Sequence, residues 1–380
     1  MTTLTPAVER NLLSRGYSRR AFGRISALLG AGATLPFYNE SALAQMSYAG
    51  EVPSDAVMIN SNENPLGPCA EALEVMDSML KRGGRYLFGE SIRMAETLAG
   101  VEGLKPSNVQ AYAGSSDPLH RAVLSFASPQ RSFVIADPGY EAGEHAARNI
   151  GAKVVRVPLT ANYAHDVHAM VERAPDAGIF YVCNPNNPTG TLTPRAALDW
   201  LVANKPKGSV VMIDEAYIHF TDAPRCTDMV AAGKDVIVLR TFSKIYGMAG
   251  LRAGAALARP DLLDKLRYFG AFFLPTTSMA GARVSLTVKN LVTERRRYME
   301  EIRSDTTAWL EQRGFKVVPS VSNKFMVQVK GPAGQTIQAL RAEKVIVGRV
   351  WPSWPNYIRV TVGTKEEMAR FKTAFAKVTS

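Results

Sequence analysis

A chain of 380 residues with 46% hydrophobic content is long enough to bury a sizeable core and to divide into more than one domain. Its formal charge of +11 is moderately basic, but no Lys/Arg run is interleaved with aromatics, so nucleic acid is not an expected partner. Cys69, Cys183 and Cys226 are too few and too scattered for a disulfide framework. Of the five histidines (His120, His145, His165, His168 and His219) only His165 and His168 are close, so no metal is predicted.

Ser18-Arg19-Arg20-Ala21-Phe22 has the form of a twin-arginine signal, followed by a mildly apolar run from Ile25 to Phe37 and a small-residue cleavage site at Ala42-Leu43-Ala44. Residues 1–44 are therefore expected to direct export by the twin-arginine machinery and to leave a periplasmic protein beginning at Gln45. No other stretch is apolar and charge-free enough to span a bilayer.

Five short apolar runs follow, and each ends in residues with chemical character. Val109 to Tyr112 leads to Gly114-Ser115-Ser116, Phe133-Val134-Ile135 to Asp137-Pro138-Gly139-Tyr140, and Ile179 to Cys183 to Asn184-Pro185-Asn186-Asn187-Pro188-Thr189-Gly190. Val210 to Ile213 runs into Asp214-Glu215-Ala216-Tyr217, and Val236 to Leu239 into Arg240-Thr241-Phe242-Ser243-Lys244. Continuous apolar runs separated by helical lengths predict a parallel sheet covered on both faces, with ligands bound outside the carboxyl ends of its strands. A lysine delivered there attacks carbonyls once its surroundings favour the free amine. Arg252, with the Thr241 and Ser243 hydroxyls, suits a phosphate. Farther on, a helix is expected over roughly Ala280 to Gly314. Within it Arg295-Arg296-Arg297, beside Glu294, Glu300 and Glu301, reads as a solvated face. Closing strands are expected around Lys324–Lys330 and Tyr357–Val362.

These motifs, with Asn62-Glu63-Asn64-Pro65 and Tyr357-Ile358-Arg359-Val360-Thr361-Val362-Gly363-Thr364, make the chain resemble the aminotransferases of pyridoxal phosphate (PLP) fold type I, in the histidinol-phosphate aminotransferase branch. The resemblance covers roughly Asn60 to the C-terminus. It implies an α/β fold, with a large domain built on a mostly parallel sheet (residues 86–275) and a smaller α/β domain (276–380) that residues 45–85 join. PLP is the implied cofactor, and an amino acid or related amine and a 2-oxo acid are the implied substrates.

The resemblance also implies roles. Lys244 holds PLP as a Schiff base and moves the substrate proton, Asp214 faces the pyridine nitrogen, and Asn187 and Tyr217 bond the phenolic oxygen. Ser115, Ser116, Thr241, Ser243 and Arg252 take the phosphate, and Tyr140 stacks on the ring. Tyr86 occupies the place of a tyrosine lent to a neighbouring subunit, which implies a homodimer with shared sites. Arg359 anchors the substrate carboxylate, a role suited to its planar fork, and Arg349 stands near where the branch binds the substrate phosphate.

Two departures bear on the substrate. Leu66 stands where many histidinol-phosphate enzymes have an aromatic, and Asp117 replaces a glutamate. Trp351 and Trp354 are candidates to line a remodelled pocket and equally candidates for packing. Transamination leads. A decarboxylase or lyase of the same fold and a non-catalytic periplasmic binding protein are the alternatives, and the complete Lys244, Asp214, Asn187, Tyr217 and Arg252 set argues against the latter.

Overall fold

The structure, a computed structural model, describes residues 6–18, 52–268 and 273–380. Arg19, Arg20, the apolar run and the Ala42–Ala44 cleavage site lie outside the described residues. Just before them, a helix at Pro6–Ser14 leads to Arg15 and Tyr17, which bond the far end of the helix Ser116–Phe126: Arg15 Nη2 donates to the carbonyls of Leu124 at 2.6 Å and Ala127 at 2.9 Å.

Seven strands form the central sheet: β2 (Val109–Tyr112), β3 (Ser132–Asp137), β4 (Val154–Pro158), β5 (Ala177–Cys183), β6 (Val210–Asp214), β7 (Val236–Thr241) and β8 (Gly254–Ala258), after a short β1 (Val57–Ile59). Their order is β2-β8-β7-β6-β5-β3-β4, with β8 antiparallel to both neighbours and the pairs from β7 to β4 parallel. The sequence explains the order. β5 to β8 are buried at every position and apolar over most of their length, with Asp214, Arg240 and Thr241 at the ends of β6 and β7, as suits strands covered on both faces, whereas β4 alternates buried with exposed residues and lies at an edge.

The small sheets combine distant segments. β1 pairs in parallel with β10 (Val345–Val347), and β9 (Lys324–Gln328) pairs antiparallel with β11 (Tyr357–Thr361). Arg359 lies opposite Met326 and Thr361 opposite Lys324, so alternation puts all four side chains on one face of that ribbon.

The helix expected over Ala280–Gly314 is in fact two, Thr276–Ser285 and Leu291–Gln312. Asn290 ends the connection in the left-handed region at φ 62°, where Asn is among the few side chains tolerated. The arginine triplet differs from expectation as well. Arg295 is buried and donates to the Ile245 carbonyl at 2.9 Å, while Arg296 bonds the His219 carbonyl at 3.0 Å and pairs with Asp222. One edge of this helix therefore holds the loop that carries Lys244.

Among the described residues no helix is long and apolar enough to cross a membrane, and no cluster of His, Cys, Asp and Glu is arranged to hold a metal ion. The three cysteines are free and buried.

Candidate active site

One cavity gathers residues from the carboxyl ends of five strands. Ser115 and Ser116 follow β2, Tyr140 follows β3, Asn187 follows β5, Asp214 ends β6 and Tyr217 follows it, Thr241 ends β7, and Ser243, Lys244 and Arg252 come after it. Every residue expected to bind the cofactor lines it except Tyr86. That tyrosine is 73% exposed and stacks instead with Phe88 and Phe273, at centroid distances of 5.6 and 5.2 Å.

At one end the groups form a cup for an anion. Gly114 has φ +91°, and a Cβ there would lie 2.2 Å from Arg252 Nη2, so only glycine permits both the turn and the approach of the guanidinium. Arg252 reaches the Ser243 hydroxyl at 3.4 Å and the Ala249 carbonyl at 2.8 Å, and the Thr241 hydroxyl donates to that of Ser243 at 2.9 Å. Ser116 opens an 11-residue helix with no side-chain cap, which leaves its first N–H groups directed at the cup.

At the other end Asp214 is buried. Its Oδ2 accepts from the Tyr181 hydroxyl at 2.8 Å and its Oδ1 from the Ala216 N–H at 3.1 Å. Burial pushes this carboxyl above the usual carboxylate range, against the opposing pull of those two donors and of the Lys244 ammonium. A cationic partner at this position would relieve the desolvation.

Behind Asp214, the fully buried Arg240 links Glu102, at 2.8 Å, to Glu215, whose other oxygen accepts the Cys226 N–H at 2.8 Å. The two arginines Arg240 and Arg225 overcome the desolvation that opposes Glu102 ionisation and lower its pKa to about 2. This network fixes the residue next to Asp214.

Lys244 donates to the Ser61 carbonyl at 3.4 Å and lies 5.6 Å from the Tyr217 ring centroid. Asn62, at φ 53°, connects the remaining groups: its Nδ2 donates to the Tyr217 hydroxyl at 3.0 Å and to Asn187 Oδ1 at 3.4 Å. Asn187 Oδ1 also accepts from Arg359 Nη1 at 3.0 Å, and the Thr361 hydroxyl receives the Asn62 N–H at 2.9 Å. The alternating positions Arg359 and Thr361 thus bring the small ribbon onto the cavity.

Arg349 is placed differently. It is buried, lies 4.3 Å over the Trp351 ring, and its Nη2 meets Glu141 Oε2 at 2.6 Å. Trp351 is itself buried against Val318 and Met326 and donates to the Gly139 carbonyl at 2.9 Å. Trp354 packs against Tyr163 and Tyr357, at 5.7 and 4.7 Å, so neither tryptophan lines the cavity.

Sequence reasoning did not assign roles to Tyr181, Asn62, Glu141 or Lys324. Tyr181 carried the one available signal, a phenol within an apolar strand whose hydroxyl must find a partner.

A family model for class I and II aminotransferases matches residues 54–375. The chain is 32% identical over 364 residues to the histidinol-phosphate aminotransferase of Moorella thermoacetica, covering 91% of this chain and 94% of that one. It is also 32% identical over 321 residues to the aromatic amino acid aminotransferase of Cutibacterium acnes, covering 83% and 90%. Among solved structures, the histidinol-phosphate aminotransferase of Sinorhizobium meliloti in complex with pyridoxal-5'-phosphate superposes with TM-score 0.78 at 24% identity, covering 92% of this chain and 96% of that one.

The chain belongs to the class I and II aminotransferases. Within them it is a histidinol-phosphate aminotransferase-like transaminase. Its cofactor is PLP, and the cavity fits that group: an amine, a buried acid and an anion cup stand at separate positions around one space.

Proposed function

We propose that the enzyme moves an amino group from an aromatic or imidazole-bearing donor to a 2-oxo acid, outside the cytoplasm. The observation that carries the donor reading is the closure of Arg349 onto Glu141. An arginine already paired with a carboxylate must give up that pair before it takes a substrate phosphate, and nothing comparable opposes an uncharged ring.

Bound PLP supplies a reactive carbonyl and an electron sink. Lys244 would hold the cofactor at that carbonyl, and its free amine would take and return the proton at the substrate Cα. Asp214 keeps the ring nitrogen protonated, held in place by Tyr181 and the Ala216 N–H. Asn187 and Tyr217, tied together through Asn62, orient the phenolic oxygen. Arg359 receives the α-carboxylate beside them. The exposed Tyr86, Phe88 and Phe273 cluster meets a second copy, whose phosphate cup Tyr86 completes.

Glu141→Gln tests the donor reading. It removes the carboxylate that competes for Arg349, so kcat/KM for histidinol phosphate should rise by about tenfold or more, worth 1.4 kcal/mol per decade, while phenylalanine changes little. Arg349→Ala should be mild for uncharged donors. A wild type that strongly prefers histidinol phosphate, and loses that preference by about 2–5 kcal/mol in Arg349→Ala, contradicts the proposal.

The location rests on Arg19 and Arg20. With both changed to lysine, unprocessed precursor is expected in the cytoplasm, and wild-type protein beginning at Gln45 in the periplasmic fraction. An uncleaved cytoplasmic wild type makes histidine biosynthesis the better reading.

A further inference from the structure

A second lysine reaches the same ring as Lys244. Lys324 opens β9, is fully buried, and places its Nζ 3.1 Å from the Tyr217 ring centroid, while Lys244 Nζ lies 5.6 Å from that centroid. The Ser322 hydroxyl accepts from Lys324 Nζ at 3.0 Å, and the Lys324 backbone carbonyl accepts from Ser320, so the ammonium head and the main chain that carries it are both held. Burying an ammonium is costly, and an aromatic face repays part of that cost when the pair is desolvated. A position whose β9 neighbours are Phe325, Met326 and Val327 has an apolar alternative that packs at no such cost.

The location shows what the charge does. Lys324 and Arg359 project from the same face of the β9–β11 ribbon, so two cations reach the site from the small sheets. Arg359 donates to Asn187 and to the Asn60 carbonyl, which aim its guanidinium at the site. Lys324 meets the flat side of Tyr217, whose hydroxyl is held by Asn62. Its charge also reaches Cys183 on β5, where it partly opposes the burial that raises that thiol.

We propose that Lys324 is a positioning residue, a fixed buried charge that orients Tyr217 by its face and sets the pH at which Lys244 takes and releases its proton. This rests on the assignment of Lys244 as the PLP lysine. A like charge nearby disfavours protonation of the second amine, and a neutral residue at 324 removes that bias. The other ionisable groups around this space are Glu63, Tyr140 and Arg252 on the cavity wall, Asp214 with Tyr181 and Cys183 beside it, and Arg359. All of them remain in place when only position 324 is changed.

The experiment compares holoenzyme of the wild type, Lys324→Met and Lys324→Arg, following the visible absorption band against pH and PLP affinity by titration of cofactor-free protein. Lys324→Met should bind PLP and move the band's midpoint to higher pH by about one unit, a tenfold gain in proton affinity, with the acid limb of kcat/KM moving alike. Lys324→Arg should restore the wild-type midpoint. Lys324→Gln, whose amide can keep the Ser322 bond, serves the same purpose if the methionine variant does not fold. A folded neutral variant with an unmoved midpoint overturns the proposal. So does failure of both neutral variants to fold, which makes Lys324 a packing residue. Reduction of wild-type holoenzyme with borohydride reports separately on the Lys244 assignment, so the two can fail independently.

Discussion

Lys244→Ala is expected to retain PLP and to lose turnover by between about 10⁴- and 10⁶-fold, the range seen when members of a covalent catalytic unit are removed. Retention follows because the anion cup of Ser115, Ser116, Thr241, Ser243 and Arg252 does not depend on the amine. The loss is large because in the proposed function the same nitrogen serves twice, in holding the cofactor and in moving the proton at the substrate Cα. Steady-state assays and absorbance of the purified variant measure both effects. A variant within tenfold of wild type means that another group does this work. The same variant reports on Tyr86: mixed with Tyr86→Ala chains it should regain activity, because one site of each hybrid dimer then has both an intact lysine and an intact partner tyrosine. Failure of any mixture to recover removes the shared-site reading.

Asp214→Asn is expected to fold, bind PLP and lose roughly 10²–10³-fold in kcat, the scale for removing one group that stabilises developing charge. Folding survives because the Tyr181 hydroxyl donates to a carboxylate but accepts equally well from an amide N–H, and the Ala216 N–H still finds the remaining oxygen. What disappears is the negative charge, which the protein buries against its own desolvation. Half-reaction kinetics should show slowed proton abstraction with the oligomeric state unchanged. Near-normal rates mean that another residue keeps the ring nitrogen protonated.

The strand ends were legible because the fold makes them so. Parallel strands covered on both faces are apolar along their length, and a charged residue at the end of such a run, such as Asp214, or a polar turn after it, such as the one that holds Asn187, stands out against it. Single-residue roles that depend on distant partners were not legible. Asn62 lies 125 and 155 positions from the residues it joins, and its motif gave no hint of which they were. Lys324 reads in sequence as an ordinary charge at a strand start; only the register of β9 on β11 turns it inward with Arg359. The break between Ser285 and Leu291 was hidden because Leu286 and Val288 continue an apolar pattern, while the left-handed turn at Asn290 carries no strong signal of its own. Arg349 was recognisable as a candidate for a phosphate, but its closure onto Glu141 depends on a contact across 208 positions.

In the proposed function Lys244 is the amine that carries the cofactor. Borohydride reduction of the purified holoenzyme, followed by peptide mapping, tests this assignment. A single reduced adduct on the peptide containing Ser243 and Lys244 is the predicted result. An adduct on Lys324 or on any other lysine, or none at all, contradicts it.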